Sequence, residues 1–168
     1  MNNLEDFREI HTMIFDVDGV LTNSELIITE SGQLLRKMNT RDGYAMKVAL
    51  EAGLRICIIT GGNSHGVEKR LKGLGIQDVY TGISDKLSVL EEYIKKYNLK
   101  LGGVLYMGDD IPDYDPMSKV GMPVCPKDAT VEIQNVSRFI SSKKGGEGCV
   151  RDIIEKVMKL QGKWIGSI

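Results

Sequence analysis

Short apolar runs rich in Ile and Val alternate along the chain with longer stretches in which apolar residues recur every three or four positions. That alternation is the signature of βαβ units, and it sets the fold class as α/β, a mainly parallel sheet flanked by helices. Core strands are predicted at residues 13–17 (MIFDV), 55–60 (RICIIT), 104–107 (VLYM), 121–124 and 138–141, most of them ended by Gly, Asp or Pro. Helices are predicted at about 43–52, 65–74, 85–97, 128–135 and 149–160, with Gly53, Gly75 and Gly121 closing or following them. One segment breaks the rhythm. Residues 25–29 (ELIIT) and 34–38 (LLRKM), separated by Glu30, Ser31, Gly32 and Gln33, read as a β-hairpin that projects from the sheet.

Composition narrows the class. A chain of 168 residues, 42% hydrophobic and 27% charged, fits one soluble domain and leaves little room for a second. Lys+Arg 22 against Asp+Glu 23 gives a net charge of -1, so no global basic field draws in nucleic acid or an anionic membrane surface. The longest apolar runs, such as 56–59, fall far short of the roughly 18 residues a membrane helix needs. Glu5, Asp6, Arg8 and Glu9 stand where an export signal would need a basic start and an apolar stretch, so a cytoplasmic location is expected. Cys57, Cys125 and Cys149 are odd in number, far apart and without CxxC spacing, and are read as reduced thiols rather than a disulfide framework or zinc site. His11 and His65 stand alone, with no metal-ligand spacing. Trp164, Ile165 and Ile168 form an apolar tail, either frayed or docked on a neighbour.

Chemistry enters at the end of the first strand, in Asp16-Val17-Asp18-Gly19-Val20-Leu21-Thr22. Carboxylates two apart on a strand point the same way, about 6.6 Å apart, which leaves room for a phosphoryl group and a metal. One Asp can attack phosphorus while the other protonates the leaving oxygen and then activates water. An Asx-type turn after a strand is the bland alternative. After the second strand, Thr60-Gly61-Gly62-Asn63 offers a hydroxyl and backbone N–H groups to phosphate oxygens, or is a plain helix cap. Lys86 lies near a helix start, where the dipole does not favour a cation; it is placed to neutralise phosphate and the attacking carboxylate together, or is a solvated surface lysine. Asp109, Asp110 and Asp113, with Asp115 close behind, crowd acids past the third strand; oxygen donors without His or Cys point to Mg²⁺, although a helix start also favours acids.

In this order the motifs Asp16-x-Asp18-Gly19-Val20-Leu21-Thr22, Thr60-Gly61, Asp85-Lys86 and Gly108-Asp109-Asp110-x-x-Asp113 resemble the haloacid dehalogenase superfamily of phosphohydrolases. The hairpin, Gly82-Ile83-Ser84-Asp85-Lys86 and the late Gly145-Gly146-Glu147-Gly148-Cys149-Val150-Arg151 resemble more narrowly the small phosphatases of 3-deoxy-D-manno-octulosonate 8-phosphate (KDO 8-phosphate). The resemblance covers most of the chain and implies a Rossmann-like core without a cap domain, a Mg²⁺ cofactor and a place in lipopolysaccharide sugar biosynthesis. It implies Asp16 as nucleophile, Asp18 as general acid and base, and Thr60, Gly61 and Lys86 as phosphate binders. Asp109, the Asp16 side chain and the Asp18 carbonyl would hold the metal, with Asp110 and Asp113 orienting Lys86 or metal-bound water. It further implies a homotetramer in which hairpin and C-terminal tail close a neighbour's site.

Spacing points the same way. Only 44 positions separate Asp16 from Thr60 and 26 separate Thr60 from Lys86, so neither gap holds a cap domain. An open phosphoaspartyl site needs a shield, and the apolar hairpin residues Leu26, Ile27, Ile28, Leu34 and Leu35 are suited to be covered by a second copy, or else fold back on their own core. Phosphatases of nine-carbon sugar acids (KDN or sialic acid 9-phosphate) often carry an acidic residue at the position of Gly62 and a lysine near Gly73; their absence favours the eight-carbon ester. Many of the eight-carbon enzymes carry Arg at position 62, and Asn23 replaces the usual Asp. Arg70 is the candidate for a sugar-acid carboxylate, or else a solvated helix face; Arg151 belongs to a loop that reaches a neighbour or simply starts the last helix. Two rivals remain: a phosphorylation receiver, whose acidic pair precedes rather than follows its phosphorylated Asp, and a catalytically idle binding module.

Overall fold

Strand alternation decides which side chains meet which layer. The computed structural model describes residues 4–166. Strand β1 (Thr12–Phe15) turns Met13 and Phe15 to one face of the sheet and Ile14 to the other. Strand β6 (Val104–Met107) does the same with Leu105 and Met107 against Val104 and Tyr106. On the first face pack helices α1 (Thr40–Glu51), α2 (His65–Gly73) and α6 (Cys149–Leu160), through Met46, Leu71, Ile153 and Val157 among others. On the second pack α3 (Lys86–Lys96), α4 (Tyr114–Lys119) and α5 (Val131–Val136), through Leu90, Tyr93, Met117 and Ile133. The result is a three-layer α/β/α arrangement, with both sheet faces buried as parallel sheets require.

The sheet is six-stranded and parallel throughout, in the order β5-β4-β1-β6-β7-β8, with β4 at Arg55–Ile59, β5 at Asp78–Tyr80, β7 at Met122–Cys125 and β8 at Phe139–Ile140. From β1 the chain winds outward through β4 and β5, then returns to build β6, β7 and β8 on the other side. This reversal opens a crevice at the carboxyl ends of β1, β4 and β6, the place where open α/β sheets bind ligands. The projecting hairpin is an antiparallel ribbon, β2 (Ile27–Ile28) paired with β3 (Leu34–Leu35). No helix among the described residues is long and apolar enough to cross a membrane. The three cysteines are buried free thiols. Trp164 packs on the core beside Arg151, Ile165 is exposed, and Ile168 lies outside the described residues.

The elements depart from the sequence pattern in four places. Strand β1 ends at Phe15, so Asp16 and Asp18 stand in the turn beyond it and strand alternation does not set their directions. Helix α1 begins at Thr40 rather than Gly43, because the Asn39 side chain caps it by accepting from the Arg41 N–H at 2.8 Å. Strand β5 and helix α4 were not expected; they have three and six residues, too few to display a period.

Candidate active site

The site grows from the end of β1. The Asp16 N–H still donates to the Met107 carbonyl of β6 at 3.1 Å, which holds Asp16 in line with the sheet. The chain then curls tightly: the Val17 carbonyl accepts the N–H groups of Val20, Leu21 and Thr22 at 3.2, 2.9 and 3.1 Å. Gly19 makes this turn possible in two ways. Its φ of +88° is left-handed, and a β-carbon there would overlap the Asp109 carboxylate, which lies directly against the turn. The late glycine loop straps the turn from behind, with Gly146 N–H on the Val20 carbonyl at 3.1 Å and Gly145 N–H on Asp128 Oδ1 at 2.9 Å.

Lys86 opens helix α3, whose cap is the Asp85 side chain accepting from the Ser88 N–H at 3.0 Å. Its side chain runs inward, and its Nζ stands 2.8 Å from Asp16 Oδ2 and 2.7 Å from Asp113 Oδ1. Asp113 also accepts from the Tyr106 hydroxyl at 3.0 Å and from the Asp109 N–H at 3.1 Å. Burial works against the Lys86 charge, but Asp16 and Asp113 outweigh it and hold the ammonium above the usual lysine range. Burial, then Asp113, pushes the Asp16 carboxyl up to about 7 despite the pull of Lys86. Asp109 is pushed to about 8 by burial, then by Asp16, Asp113 and Asp110.

These shifts have one physical reading. Carboxylate oxygens of Asp16, Asp109 and Asp113 lie within 4.8 Å of one another with a single lysine among them, so the pocket is short of positive charge. A hard cation on oxygen donors fits that deficit. Asp113 already has three donors on its oxygens, and Asp16 has two, Lys86 and the Val17 N–H at 2.7 Å. The Asp109 carboxylate has none among the described residues, so Asp109 is the carboxylate most open to a cation, and Asp16 keeps acceptor capacity for one.

Thr60, directly after β4, is buried with its hydroxyl accepting the Gly62 N–H at 3.3 Å, and Thr60 and Gly61 line the same crevice as Asp16, Asp18, Lys86 and Asp109. That crevice encloses about 410 Å³. Asp110 lines its rim and accepts the Ile111 N–H at 2.8 Å rather than holding Lys86. A larger cavity of about 680 Å³ lies at the opposite ends of the strands, around His11, Arg55 and Asp78, without such a cluster of acids and lysine. Chemistry, not volume, selects the site.

Arg70 does not line the crevice of its own chain; its guanidinium lies against Gly43 of α1. Arg151 sits in the first turn of α6, pairs with Glu155 at 2.6 Å and stacks near Trp164. Asn23 is engaged locally with Glu25. Two residues that the motifs did not single out touch the site. Tyr106 is buried on β6 and needs a partner for its hydroxyl, which Asp113 provides. Arg36, just beyond β3, reaches back to Asp18, with Nε 2.7 Å from Oδ1 and Nη2 3.1 Å from Oδ2. A basic residue at the root of an apolar hairpin was the visible signal for Arg36, but its partner lies 18 positions away.

Comparison with known proteins gives concordant results. Residues 75–153 match the haloacid dehalogenase-like hydrolase family. Escherichia coli K12 3-deoxy-D-manno-octulosonate 8-phosphate phosphatase KdsC is 35% identical over 156 residues, which span 93% of this chain and 83% of that protein. The structure of the Yersinia pestis 3-deoxy-D-manno-octulosonate 8-phosphate phosphatase superposes with a TM-score of 0.94 at 31% identity, covering 98% of this chain and 89% of that one. The Moraxella catarrhalis phosphatase, solved in complex with magnesium, phosphate and KDO, gives a TM-score of 0.92 at 31% identity, over 96% and 93% of the two chains. With this fold, this arrangement of acids and lysine and this length of shared sequence, the chain belongs to the haloacid dehalogenase-like hydrolases, in the family of the 3-deoxy-D-manno-octulosonate 8-phosphate phosphatases.

Proposed function

We propose that the protein is a Mg²⁺-dependent phosphomonoesterase that converts KDO 8-phosphate to KDO and phosphate in lipopolysaccharide sugar biosynthesis. The observation that carries this reading is the buried set Asp16, Lys86, Asp113 and Asp109 at the end of β1, with Asp18 two residues further on. Asp16 attacks phosphorus to form an aspartyl phosphate, while Asp18 gives its proton to the departing sugar oxygen. Asp18 then takes a proton from water, whose oxygen attacks the same phosphorus; phosphate leaves and Asp16 is regenerated. Lys86, with Thr60 and the Gly61 backbone, neutralises and orients the phosphoryl oxygens, and Asp113 with Tyr106 fixes Lys86. Asp16, Asp109 and the Asp18 carbonyl would hold Mg²⁺, which would supply the positive charge that lets an anionic nucleophile approach an anionic phosphate.

Selection of the sugar falls to groups outside the crevice. The hairpin exposes Ile27 at 65% and Ile28 at 69%, which supports a homotetramer whose hairpins and C-terminal tails close neighbouring sites. Arg70, on α2 outside the crevice, is the proposed partner of the sugar-acid carboxylate where the sugar extends beyond the phosphate pocket. Phosphate release from KDO 8-phosphate and KDN 9-phosphate, measured in parallel with Mg²⁺ and with Asp16→Asn as the blank, tests the reading. Preference for the eight-carbon ester, absent in the blank, is expected. Preference for the nine-carbon ester keeps the mechanism and overturns the substrate; no release from either overturns both.

A further inference from the structure

We propose that Arg36 is the positioning residue of the proton carrier, holding the Asp18 carboxylate in the orientation that both proton transfers require. The inference rests on the role given to Asp18 above. Asp18 needs such a partner: its side chain is 37% exposed, and Arg36 is the one hydrogen-bond partner of its carboxylate among the described residues. The contact has the parallel two-bond geometry that fixes a carboxylate plane, unlike a single contact between two solvated charges. It uses the oxygen lone pairs that face the hairpin and leaves those on the far side for a proton. The guanidinium is itself immobilised. Although Arg36 follows an exposed strand, its side chain is only 6% exposed, and its third nitrogen donates to the Leu34 carbonyl at 3.3 Å.

Gly62 completes the arrangement. A β-carbon at this position would stand 3.0 Å from Arg36 Nη2 and 3.2 Å from Asp18 Oδ2, close enough that the ion pair would have to shift by a few tenths of an ångström to admit it. The three residues come from three separate segments: the turn after β1, the root of the hairpin and the loop after β4. The hairpin is thereby coupled to the chemistry of its own chain, whatever its apolar tip contacts. Removing Arg36 leaves Asp18 present and chemically intact but free to rotate, and small displacements of a catalytic group are costly in rate.

Leaving groups separate this role from others. A sugar alkoxide needs a proton as it departs; p-nitrophenolate does not. Arg36→Ala is expected to lower kcat/KM on KDO 8-phosphate by about 10–100-fold and to change kcat/KM on p-nitrophenyl phosphate by less than about 3-fold, because kcat/KM reports the steps up to the aspartyl phosphate. By contrast kcat, which includes the Asp18-assisted attack of water common to both esters, should fall on both. Arg36→Lys should recover part of the loss. Gly62→Val, which displaces the guanidinium without removing a charge, should show the same bias against the alkyl ester. In an Asp18→Asn background Arg36→Ala should add little, because the two act as a unit. Equal losses of kcat/KM on both esters, a loss of kcat/KM on KDO 8-phosphate with kcat unchanged on both, or no change on either overturns the proposal; thermal unfolding of each variant separates these from misfolding. If the wild type cleaves p-nitrophenyl phosphate and glycerol 1-phosphate but not KDO 8-phosphate, the substrate reading fails, and the same criteria apply to the glycerol ester.

Discussion

At Asp109 folding and function pull in opposite directions. Its carboxylate is pressed against the Gly19 turn, and burial with three acidic neighbours pushes its pKa to about 8. Such a group destabilises the metal-free protein near neutral pH, because the native state must take up a proton there that the unfolded chain has released. Asp109→Asn removes that cost and should raise the unfolding midpoint without metal. The same change should abolish the increase that Mg²⁺ gives the wild type, since a ligand stabilises only the state that binds it. Thermal melts with EDTA and with Mg²⁺ check both halves, and a variant that keeps the Mg²⁺ response removes Asp109 from the ligand set. The acids and the lysine were legible at this scale because like charges beside a strand end need a reason wherever they occur. Arg36 and Tyr106 were not: a lone arginine and a core tyrosine look alike in a sequence whether their polar ends meet solvent or an active site.

Among the elements, the contact between α1 and α6 holds a second buried acid. Asp42, 1% exposed, accepts the Arg151 N–H at 2.9 Å through Oδ1, while Oδ2 has no partner among the described residues. Burial pushes its pKa up to about 6, against the lowering effect of Arg151. The unfolded chain ionises this group near about 3.9, so between the two values the native state holds a proton that the unfolded state has released. The stabilising contribution is therefore present below pH ~4 and lost as pH rises through about 6. Relative to Asp42→Asn, the wild type should lose about 2–3 kcal/mol between pH 4 and 7 in urea unfolding; parallel curves for the two proteins would show that Asp42 does not titrate this way. The sequence pattern starts this helix at Gly43 and leaves Asp42 outside it, whereas the Asn39 cap starts it at Thr40 and puts Asp42 in its first turn. Long periodic elements such as α6 are readable because twelve residues display their period, whereas β5, at three residues, takes its strand form from the neighbouring β4 rather than from its own pattern.

For the whole molecule the hairpin is the feature that a single chain leaves incomplete. Ile27 and Ile28 are adjacent on β2 and so face opposite sides of a two-stranded ribbon, opposite Leu35 and Leu34, and all four are exposed. Isolated two-stranded ribbons are marginal in water, and apolar residues bare on both faces make this one more so. Burying each isoleucine is worth about 1.5–3 kcal/mol, enough for several copies together to offset the entropy of association. The proposed tetramer, built through the hairpins, would satisfy this requirement and leave Arg36, at the ribbon's root, facing its own Asp18. In that assembly Ile28→Glu would place a charge within the hairpin contact without touching the core of the sheet. Sedimentation velocity should show the wild type as a tetramer and Ile28→Glu as smaller species. The variant's KM for KDO 8-phosphate should rise about 10-fold or more, because neighbour contacts to the sugar are lost, while p-nitrophenyl phosphate, which needs only the crevice, should be cleaved nearly as before. A wild type that sediments as a monomer at micromolar concentration would refute the assembly.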